Sequence, residues 1–240
     1  MARILAIDTS SAWCSVILSI DGLAPLLRHQ QVSAGASQLL LPWIDELLGL
    51  ASTPLSNIDA IAVGVGPGAF TGVRLGVAVV QGLATAAKLP VLPVASLDAI
   101  AAQLVQTSDF ITSGATIFVI AVDARMGESY WAKYEHTVLG LPKRLGDIQL
   151  SAPELVDLSG VHYLAGSAII EFGDRLFAHQ MIPFPENRMN AEIGIHASGI
   201  LTCAQLMWSQ GLQQDIHLLE PSYIRNKVAL TTLERTQTHV

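Results

Sequence analysis

The chain has 240 residues, of which 51% are apolar and 14% are charged, so it is long enough to bury a sizeable core in one large or two small domains. This composition excludes a disordered protein and indicates either a deep core or a surface that a partner covers. A formal net charge of −7 and a pI near 5.4 argue against a free-standing nucleic-acid-binding protein, which would carry a basic stripe.

The N-terminal part of the chain predicts three strands and then alternating helices and strands. Strands are predicted at 3–8, 13–20, 24–31, 58–64 and 89–94, and helices at 37–50, 73–88 and 96–105. Pro42 marks either the first turn of the first helix or a kink, and Ser96 is predicted to cap the third helix. The segment TSDFITSGA that follows (107–115) resembles a linker.

The C-terminal part repeats this order in reduced form. Strands are predicted at 116–125, 129–135 and 161–166, a short helix at 153–158 and a long helix at 191–210. A strand–turn–strand opening followed by helices and strands therefore occurs twice, which predicts an α/β protein with two related, unequal lobes. We place the first lobe at 1–106 and the second at 107–240, with a C-terminal segment that can return to the first lobe.

The cysteines and the apolar segments predict a soluble cytoplasmic protein without a membrane partner. Cys14 and Cys203 are far apart and form no C-x-x-C pair, so neither a disulfide framework nor a zinc ribbon is expected. The apolar run after Arg3 ends at Asp8, which is too short for a signal peptide. The longest uncharged stretches contain Gly, Pro, Gln and Ser and fall short of the roughly eighteen apolar residues of a membrane span.

The segment GVGPGAFTG (64–72) follows a predicted strand and opens a helix, as phosphate-binding loops do. Its G-x-G-x-x-A pattern meets the dinucleotide fingerprint, but the acid that such a site needs about 20 residues later is missing, since the first acid there is Asp98. A P-loop needs a lysine after its last glycine, whereas here the first basic residue is Arg74, two residues after Gly72. A tight turn that lets the helix pack closely and a phosphate site both remain open, and the pattern favours the turn.

Five segments together resemble the TsaB (YeaZ) family. They are ILAIDTSSAWCSV (4–16), GVGPGAFTGVRLGVAVVQGLA (64–84), PVASLDAIA (93–101), VDARMGESY (122–130) and EPSYIRNKVA (220–229), and the block GPG-[AS]-FTG-x-R is the most specific. The resemblance runs from Ile4 to about Ala229. It implies a two-lobed fold of the actin, sugar-kinase and Hsp70 type, with a complete first lobe and a shortened second lobe.

The same resemblance implies a non-catalytic subunit in the biosynthesis of threonylcarbamoyladenosine in tRNA. Such a subunit binds and stabilises a larger, metal-dependent TsaD-type subunit, which transfers the threonylcarbamoyl group to N6 of the adenosine adjacent to the anticodon. It also implies a small TsaE-type ATPase that joins through the complex, a homodimer when the chain is alone, and contact with tRNA only through the complex.

Metal-binding histidines of the larger relative are replaced in this chain. That relative carries His-x-x-x-His on the helix after the third parallel strand, which places two imidazoles on one face. The matching positions here are Ser96 and Ile100, and none of the seven histidines has another histidine four residues away. We therefore expect no metal site and no catalytic residue.

Two aspartates and two hydroxyls are the remaining candidates for chemistry. Asp8 and Asp123 end predicted strands where kinases of the implied fold keep phosphate-facing acids, and Thr9 and Ser10 could donate to a phosphate. Asp8, Thr9 and Ser10 are thus candidates for a weak ATP or ADP site, with no other cofactor, although capping of turns by the aspartates is the favoured interpretation. The competing function is a small-molecule kinase, with Asp8 at the phosphate and Asp123 as the base. The short second lobe argues against this kinase. A third alternative, a metallopeptidase, is disfavoured because the metal-binding histidines are missing.

Two predicted helices, 37–50 and 73–88, carry more apolar residues than one face needs. Helices that lie between a sheet and other helices can also be apolar all round, so the residues alone do not decide between a core and an interface. The resemblance implies that these helices pack against the same pair in the catalytic subunit or in a second copy. The predicted interface residues are Leu40, Trp43, Leu47, Arg74, Gly76, Val79, Val80 and Leu83.

Overall fold

The computed structural model describes residues 2–32, 35–137, 140–180 and 184–225. In these ranges the strands are β1 Ile4–Asp8, β2 Trp13–Ser19, β3 Leu26–Gln31, β4 Ala60–Gly66, β5 Val91–Ala95, β6 Ile117–Asp123, β7 Ser129–Glu135, β8 Lys143–Ser151, β9 Tyr163–Ala165 and β10 Met189–Asn190. The α-helices are α1 Ala36–Leu50, α2 Phe70–Ala87, α3 Ser96–Leu104, α4 Ser108–Ser113, α5 Ala168–Phe172 and α6 Ala197–Ser209.

The first sheet has the strand order β3-β2-β1-β4-β5, in which β1 to β3 are antiparallel and β4 and β5 run parallel to β1. Every residue of β1 and β4 is buried, as expected for central strands with continuous apolar runs. Successive side chains of a strand point to opposite faces. Leu5 and Ile7 accordingly face α1 and α2, whereas Ile4 and Ala6 face α3 and α6.

The second sheet has the order β10-β9-β6-β7-β8 and lies across α3 and α6 from the first. Phe118 and Ile120 of β6 join the core cluster that contains α3 and α6, while Val119 and Ala121 face a smaller cluster with α5 and short 3-10 turns. The fold is therefore α/β with two unequally covered sheets, and it confirms the predicted fold class.

The C-terminal part of the described chain lies against the first sheet. Helix α6 packs on β1 and α3, and Val91 pairs with Gln214 in an isolated bridge. The Val65 carbonyl then accepts a hydrogen bond of 2.8 Å from the Ser222 amide. The placement of a lobe boundary between residues 106 and 107 stays a prediction.

Several local predictions differ from the structure. The segment 107–115 is not a linker, because it forms α4, with Phe110 in the core and the Thr107 hydroxyl accepting from the Phe110 amide. The predicted helix at 153–158 is only a 3-10 turn, Pro153–Leu155. Helix α6 begins six residues later than predicted, at Ala197, after the cap residue His196. The sequence does not predict β8, because its exposed polar residues mask the strand pattern.

Two predictions about helix geometry are also corrected. Pro42 lies inside α1, at its seventh residue, so the first-turn alternative is wrong. Helix α2 has the length and composition that a membrane span needs, contrary to the expectation that no stretch reaches them. It contains Arg74 and packs against β4 through Val77 and Val80, and length and composition alone are weak evidence for a membrane span.

Candidate functional site

The glycine loop, residues 64–72, lies directly on the turn between β1 and β2. The Ala69 amide donates a hydrogen bond of 2.6 Å to the Ser10 carbonyl, and the Thr9 hydroxyl donates one of 2.7 Å to the Gly72 carbonyl. The loop therefore donates one hydrogen bond to the turn, and the turn donates one to the loop. These bonds occupy the Ala69 amide and the Thr9 hydroxyl, two donors that could otherwise bind a phosphate.

The glycines allow this close approach. A Cβ atom at Gly68 would collide with the Ser10 carbonyl oxygen, and one at Gly72 with the Thr9 carbonyl oxygen. One turn further along α2, a Cβ atom at Gly76 would lie 2.9 Å from the Thr9 hydroxyl oxygen. Only a residue without a side chain fits against backbone at this distance, which supports the close-packing interpretation of the loop.

Asp8 is sealed beneath this turn. Its side chain is fully buried, its Oδ2 accepts a hydrogen bond of 3.1 Å from the Ser10 amide, and its Oδ1 has no partner among the described residues. A Cβ atom at Gly64 would collide with Oδ1. Burial raises the pKa of the Asp8 carboxyl to about 6, despite the hydrogen bonds from Ser10. A carboxylate enclosed in this way does not face a ligand.

Of the three residues predicted to bind a nucleotide, only Ser10 reaches a cavity. Thr9 is buried and its hydroxyl is bound to Gly72, whereas Ser10 lines a cleft between the two sheets. The Ser10 and Ser96 hydroxyl oxygens lie 3.2 Å apart. The predicted capping of α3 by Ser96 is wrong, because Ala95 is the cap residue and Ser96 faces Ser10 instead.

The cleft has a volume of about 690 Å³ and is lined mainly by apolar side chains. Asp123 lies on its wall. It ends β6, in agreement with the predicted strand end. Its Oδ1 accepts a hydrogen bond of 2.7 Å from the Arg125 amide, and its Oδ2 lies 3.2 Å from the Arg125 guanidinium. Asp123 thus caps the turn that follows β6, which is the structural role that the sequence favoured.

This turn is held by an arginine from a distant segment that sequence analysis missed. Arg125 and Met126 both have left-handed backbone conformations, with φ of 63° and 57°. The Arg225 guanidinium donates to the Ala124 carbonyl at 3.1 Å and pairs with Glu128 at 2.6 Å. Arg225, which lines the cleft, therefore links the C-terminal segment to the turn after β6.

The eight predicted interface residues divide into two groups. Leu40, Leu47, Gly76 and Val80 are buried against the first sheet, so their assignment to a partner surface is corrected. Trp43, Val79 and Leu83 are partly exposed and Arg74 is exposed, which leaves these four at the surface.

Arg74 is held by two aromatic residues beside the cleft. Its guanidinium carbon lies 3.7 Å from the centroid of the Phe70 ring, and its Nε donates a hydrogen bond of 3.0 Å to the Tyr223 hydroxyl.

Leu41 of α1 and Ala78 of α2 are exposed positions that the predicted set of interface residues does not include. In residues 2–32, 35–137, 140–180 and 184–225, no three His, Cys, Asp or Glu side chains are grouped so that they could hold a metal ion.

Comparison with known proteins gives consistent matches over nearly the whole chain. A family profile described as "TsaD: tRNA N6-adenosine threonylcarbamoyltransferase" matches residues 29–218. The tRNA threonylcarbamoyladenosine biosynthesis protein TsaB of Escherichia coli K12 is 34% identical over 233 residues, covering 95% of this chain and 96% of that protein. The protein of the same name from Haemophilus influenzae is 30% identical over 233 residues, covering 94% of each. The solved structure of YeaZ from Pseudomonas aeruginosa superposes with a TM-score of 0.80 at 34% identity, covering 93% of this chain and all of that chain.

Proposed function

The chain belongs to the TsaB family of tRNA threonylcarbamoyladenosine biosynthesis proteins, and we propose that it acts as a non-catalytic subunit that binds and stabilises a metal-dependent TsaD-type subunit. In this role the partner transfers the threonylcarbamoyl group to N6 of the adenosine adjacent to the tRNA anticodon. The chain works in the cytoplasm, forms a homodimer when alone, and meets tRNA and a small TsaE-type ATPase only through the complex.

The observation that carries the docking proposal is the uncovered apolar surface of α2. This helix is apolar enough to cross a membrane, yet only five of its 18 residues are buried within the chain. A helix on a sheet needs one apolar stripe, and the additional apolar surface is typical of a site that a partner covers. Ala78 and Gly82 are exposed in its middle, next to the partly exposed Val79 and Leu83. Small residues at these positions allow a partner helix to approach closely.

Rigidity of this surface supports a role in orienting a partner. The contacts of Gly72 and Gly76 with Thr9 fix the start of α2 on the β1–β2 turn, and Gln81 donates a hydrogen bond of 2.9 Å to the Leu219 carbonyl. A helix fixed at both its start and its middle loses little conformational entropy when it binds. Such a surface can hold the two lobes of a larger partner in one arrangement.

The positions of the two candidate carboxylates, Asp8 and Asp123, support a non-catalytic role. Asp8, the acid that a kinase of this fold would direct at a phosphate, is buried beneath Ser10 and Gly64. Asp123, the base in the kinase alternative, is bound by Arg125. A general base must reach the proton that it removes, and neither carboxylate is free to do so in this arrangement.

The docking proposal is tested by placing a charge on the exposed face of α2. Ala78→Glu puts a carboxylate at an exposed position, so folding should change by less than about 0.5 kcal/mol. In a helix–helix contact the same unpaired carboxylate costs several kcal/mol, on the order of 3, which lowers affinity by about 100-fold or more. Leu83→Glu, at a partly exposed position five residues later in α2, should act in the same direction.

Matched controls separate docking from folding. Ile111→Glu places the same charge on an exposed apolar position of α4, and Val80→Glu places it in the core under α2. Size-exclusion chromatography with a TsaD-type subunit and a melting curve are measured for each variant. We expect Ala78→Glu to remain folded without binding, Ile111→Glu to bind, and Val80→Glu to unfold. Binding by a folded Ala78→Glu variant would place the partner elsewhere.

A further inference from the structure

We propose that a second pocket, beside the second sheet, binds a basic α-amino acid through two carboxylates, one guanidinium and one buried phenol. The pocket lies between α4 and the 3-10 turn Glu186–Arg188 that precedes β10, and Tyr163 of β9 lines it. Its volume of about 370 Å³ is within the range of ligand sites in proteins, about 300–1,000 Å³. It shares no lining residue with the cleft between the two sheets and none with α2, so the site is separate from both.

Tyr163 presents a hydroxyl without a partner to this pocket. Its ring packs against Phe110, with the two ring centroids 5.2 Å apart, and only 1% of Tyr163 is exposed. Among the described residues, no group forms a hydrogen bond with its hydroxyl. Buried polar groups in proteins are normally hydrogen-bonded, so this hydroxyl is suited to a ligand group that reaches into the pocket.

Two carboxylates of the lining can each hold a positive charge. Burial and the charge of Asp109 raise the pKa of the Tyr163 hydroxyl, which indicates that this carboxylate lies near the hydroxyl. Asp109 accepts a hydrogen bond of 3.2 Å from the Ser108 hydroxyl, and no cation of the described chain pairs with it. Glu186 lies on the other side of the pocket, in the 3-10 turn, and has neither a hydrogen bond nor an ion pair with a described residue.

One guanidinium of the lining can hold a carboxylate. Arg188 is half-buried and donates a hydrogen bond of 3.3 Å to the His162 carbonyl, which orients its side chain. It pairs with neither Asp109 nor Glu186, although all three residues line the same pocket. A planar guanidinium can bind a ligand carboxylate through two parallel hydrogen bonds.

These three charges define the class of ligand. Two carboxylates and one guanidinium are complementary to a molecule with two ammonium groups and one carboxylate, which is the charge pattern of lysine and ornithine at neutral pH. Tyr163 adds an acceptor for one ammonium group, and the half-buried Met189 provides an apolar surface for the methylene chain. A simple diamine would leave the charge of Arg188 unmatched, and a neutral amino acid would leave one carboxylate unmatched.

Four compounds that differ by one charged group test this pattern. Binding of L-lysine, cadaverine, L-norleucine and 6-aminohexanoate to the full chain is measured by isothermal titration calorimetry. Cadaverine lacks the carboxylate, L-norleucine lacks the side-chain ammonium group, and 6-aminohexanoate lacks the α-ammonium group. We expect L-lysine to bind and each of the other compounds to bind at least ~10-fold more weakly, the effect of one lost charged contact. Equal binding by any of the three overturns the proposal, and so does the failure of L-lysine to bind at millimolar concentration.

Variants locate the site. Arg188→Gln should weaken L-lysine binding by ~10-fold and leave cadaverine binding unchanged, because only L-lysine carries a carboxylate. Glu186→Gln should weaken the binding of both compounds, and Tyr163→Phe, which keeps the ring in the core, should weaken that of L-lysine. Glu220→Gln, at an exposed glutamate outside the pocket, is the matched control. Equal L-lysine affinity in Glu186→Gln and Glu220→Gln, with melting curves showing that both are folded, would contradict binding in this pocket.

Discussion

Replacing Asp8 with asparagine should stabilise the protein at neutral pH. In the folded chain the carboxyl is fully buried, one oxygen has no partner among the described residues, and burial raises its pKa from 3.8 to about 6. The folded state therefore holds its proton more tightly than the unfolded chain does. Ionisation of Asp8 at neutral pH must then reduce the free energy of unfolding.

The magnitude follows from the two pKa values. Below about pH 4 both states are protonated, and between about pH 4 and pH 6 only the folded state keeps the proton, so stability falls as the pH rises. A difference of about two pH units corresponds to ~3 kcal/mol, which remains as a constant penalty above pH 6. This is an upper limit, because relaxation around the carboxylate reduces the cost.

The assay compares wild type with Asp8→Asn in urea unfolding from pH 4 to pH 7.5. We expect similar stability near pH 4 and an advantage for Asp8→Asn of up to ~3 kcal/mol at pH 7.5, or about 6–12 °C in Tm. Asp8→Ala is the matched control, since it also removes the charge but loses the hydrogen bond from Ser10. An Asp8→Asn variant that loses stability relative to wild type as the pH rises would refute the reasoning, because the carboxylate would then be held by a favourable partner.

Three further predictions concern packing, capping and charge. Gly72→Ala should lower the free energy of unfolding by at least ~2 kcal/mol, because the new Cβ atom meets the Thr9 carbonyl oxygen. Gly82→Ala, where space is open, should raise the free energy of unfolding by about 0.5–1 kcal/mol. Paired melting curves measure both changes, and equal effects would contradict the packing role of Gly72. Burial and His29 lower the pKa of His196 to about 4, so the unfolded chain binds this proton between pH 6.5 and about 4 and the folded chain does not. His196 therefore contributes a loss of stability on acidification in this range, opposite in sign to the contribution of Asp8. His196→Asn keeps a side-chain acceptor at the cap of α6 and should remove this contribution, as measured by urea unfolding at a series of pH values. A variant whose stability depends on pH in the same way as that of wild type would contradict the prediction. The isolated chain, with a net charge of −7, should bind tRNA weakly in fluorescence anisotropy at 50 to 200 mM salt, so tight, salt-sensitive binding would be the contrary result.

The main features of the fold could be predicted from the sequence, because continuous apolar runs such as 58–64 form the central strand β4. Strands with exposed polar residues were harder to recognise, and β8 was missed for this reason. The glycine loop left two interpretations open, since a glycine pattern is the same whether a backbone approaches a phosphate or a neighbouring turn. Only the contacts of Gly68 and Gly72 with the β1–β2 turn distinguish them.

The candidate surfaces depended on information that periodicity does not contain. In an all-apolar helix, neighbouring positions such as Val80 and Leu83 look alike, although one is buried against the sheet and the other is partly exposed. Arg225 was missed because the carbonyl it binds, that of Ala124, is 101 residues away in the chain. Long-range pairs of this kind become visible only when the fold brings their segments together.

The central claim, that this chain acts through docking and not through chemistry of its own, is tested most directly by reconstituted threonylcarbamoyl transfer to tRNA. Transfer is measured with a TsaD-type subunit and the other pathway proteins, adding no chain, wild type or Ala78→Glu over a range of concentrations. The account predicts no transfer by the chain without the TsaD-type subunit, full activity with wild type, and loss of activity with Ala78→Glu that rising concentration restores. Transfer by the chain without that subunit, or full activity with a low concentration of Ala78→Glu, would contradict it.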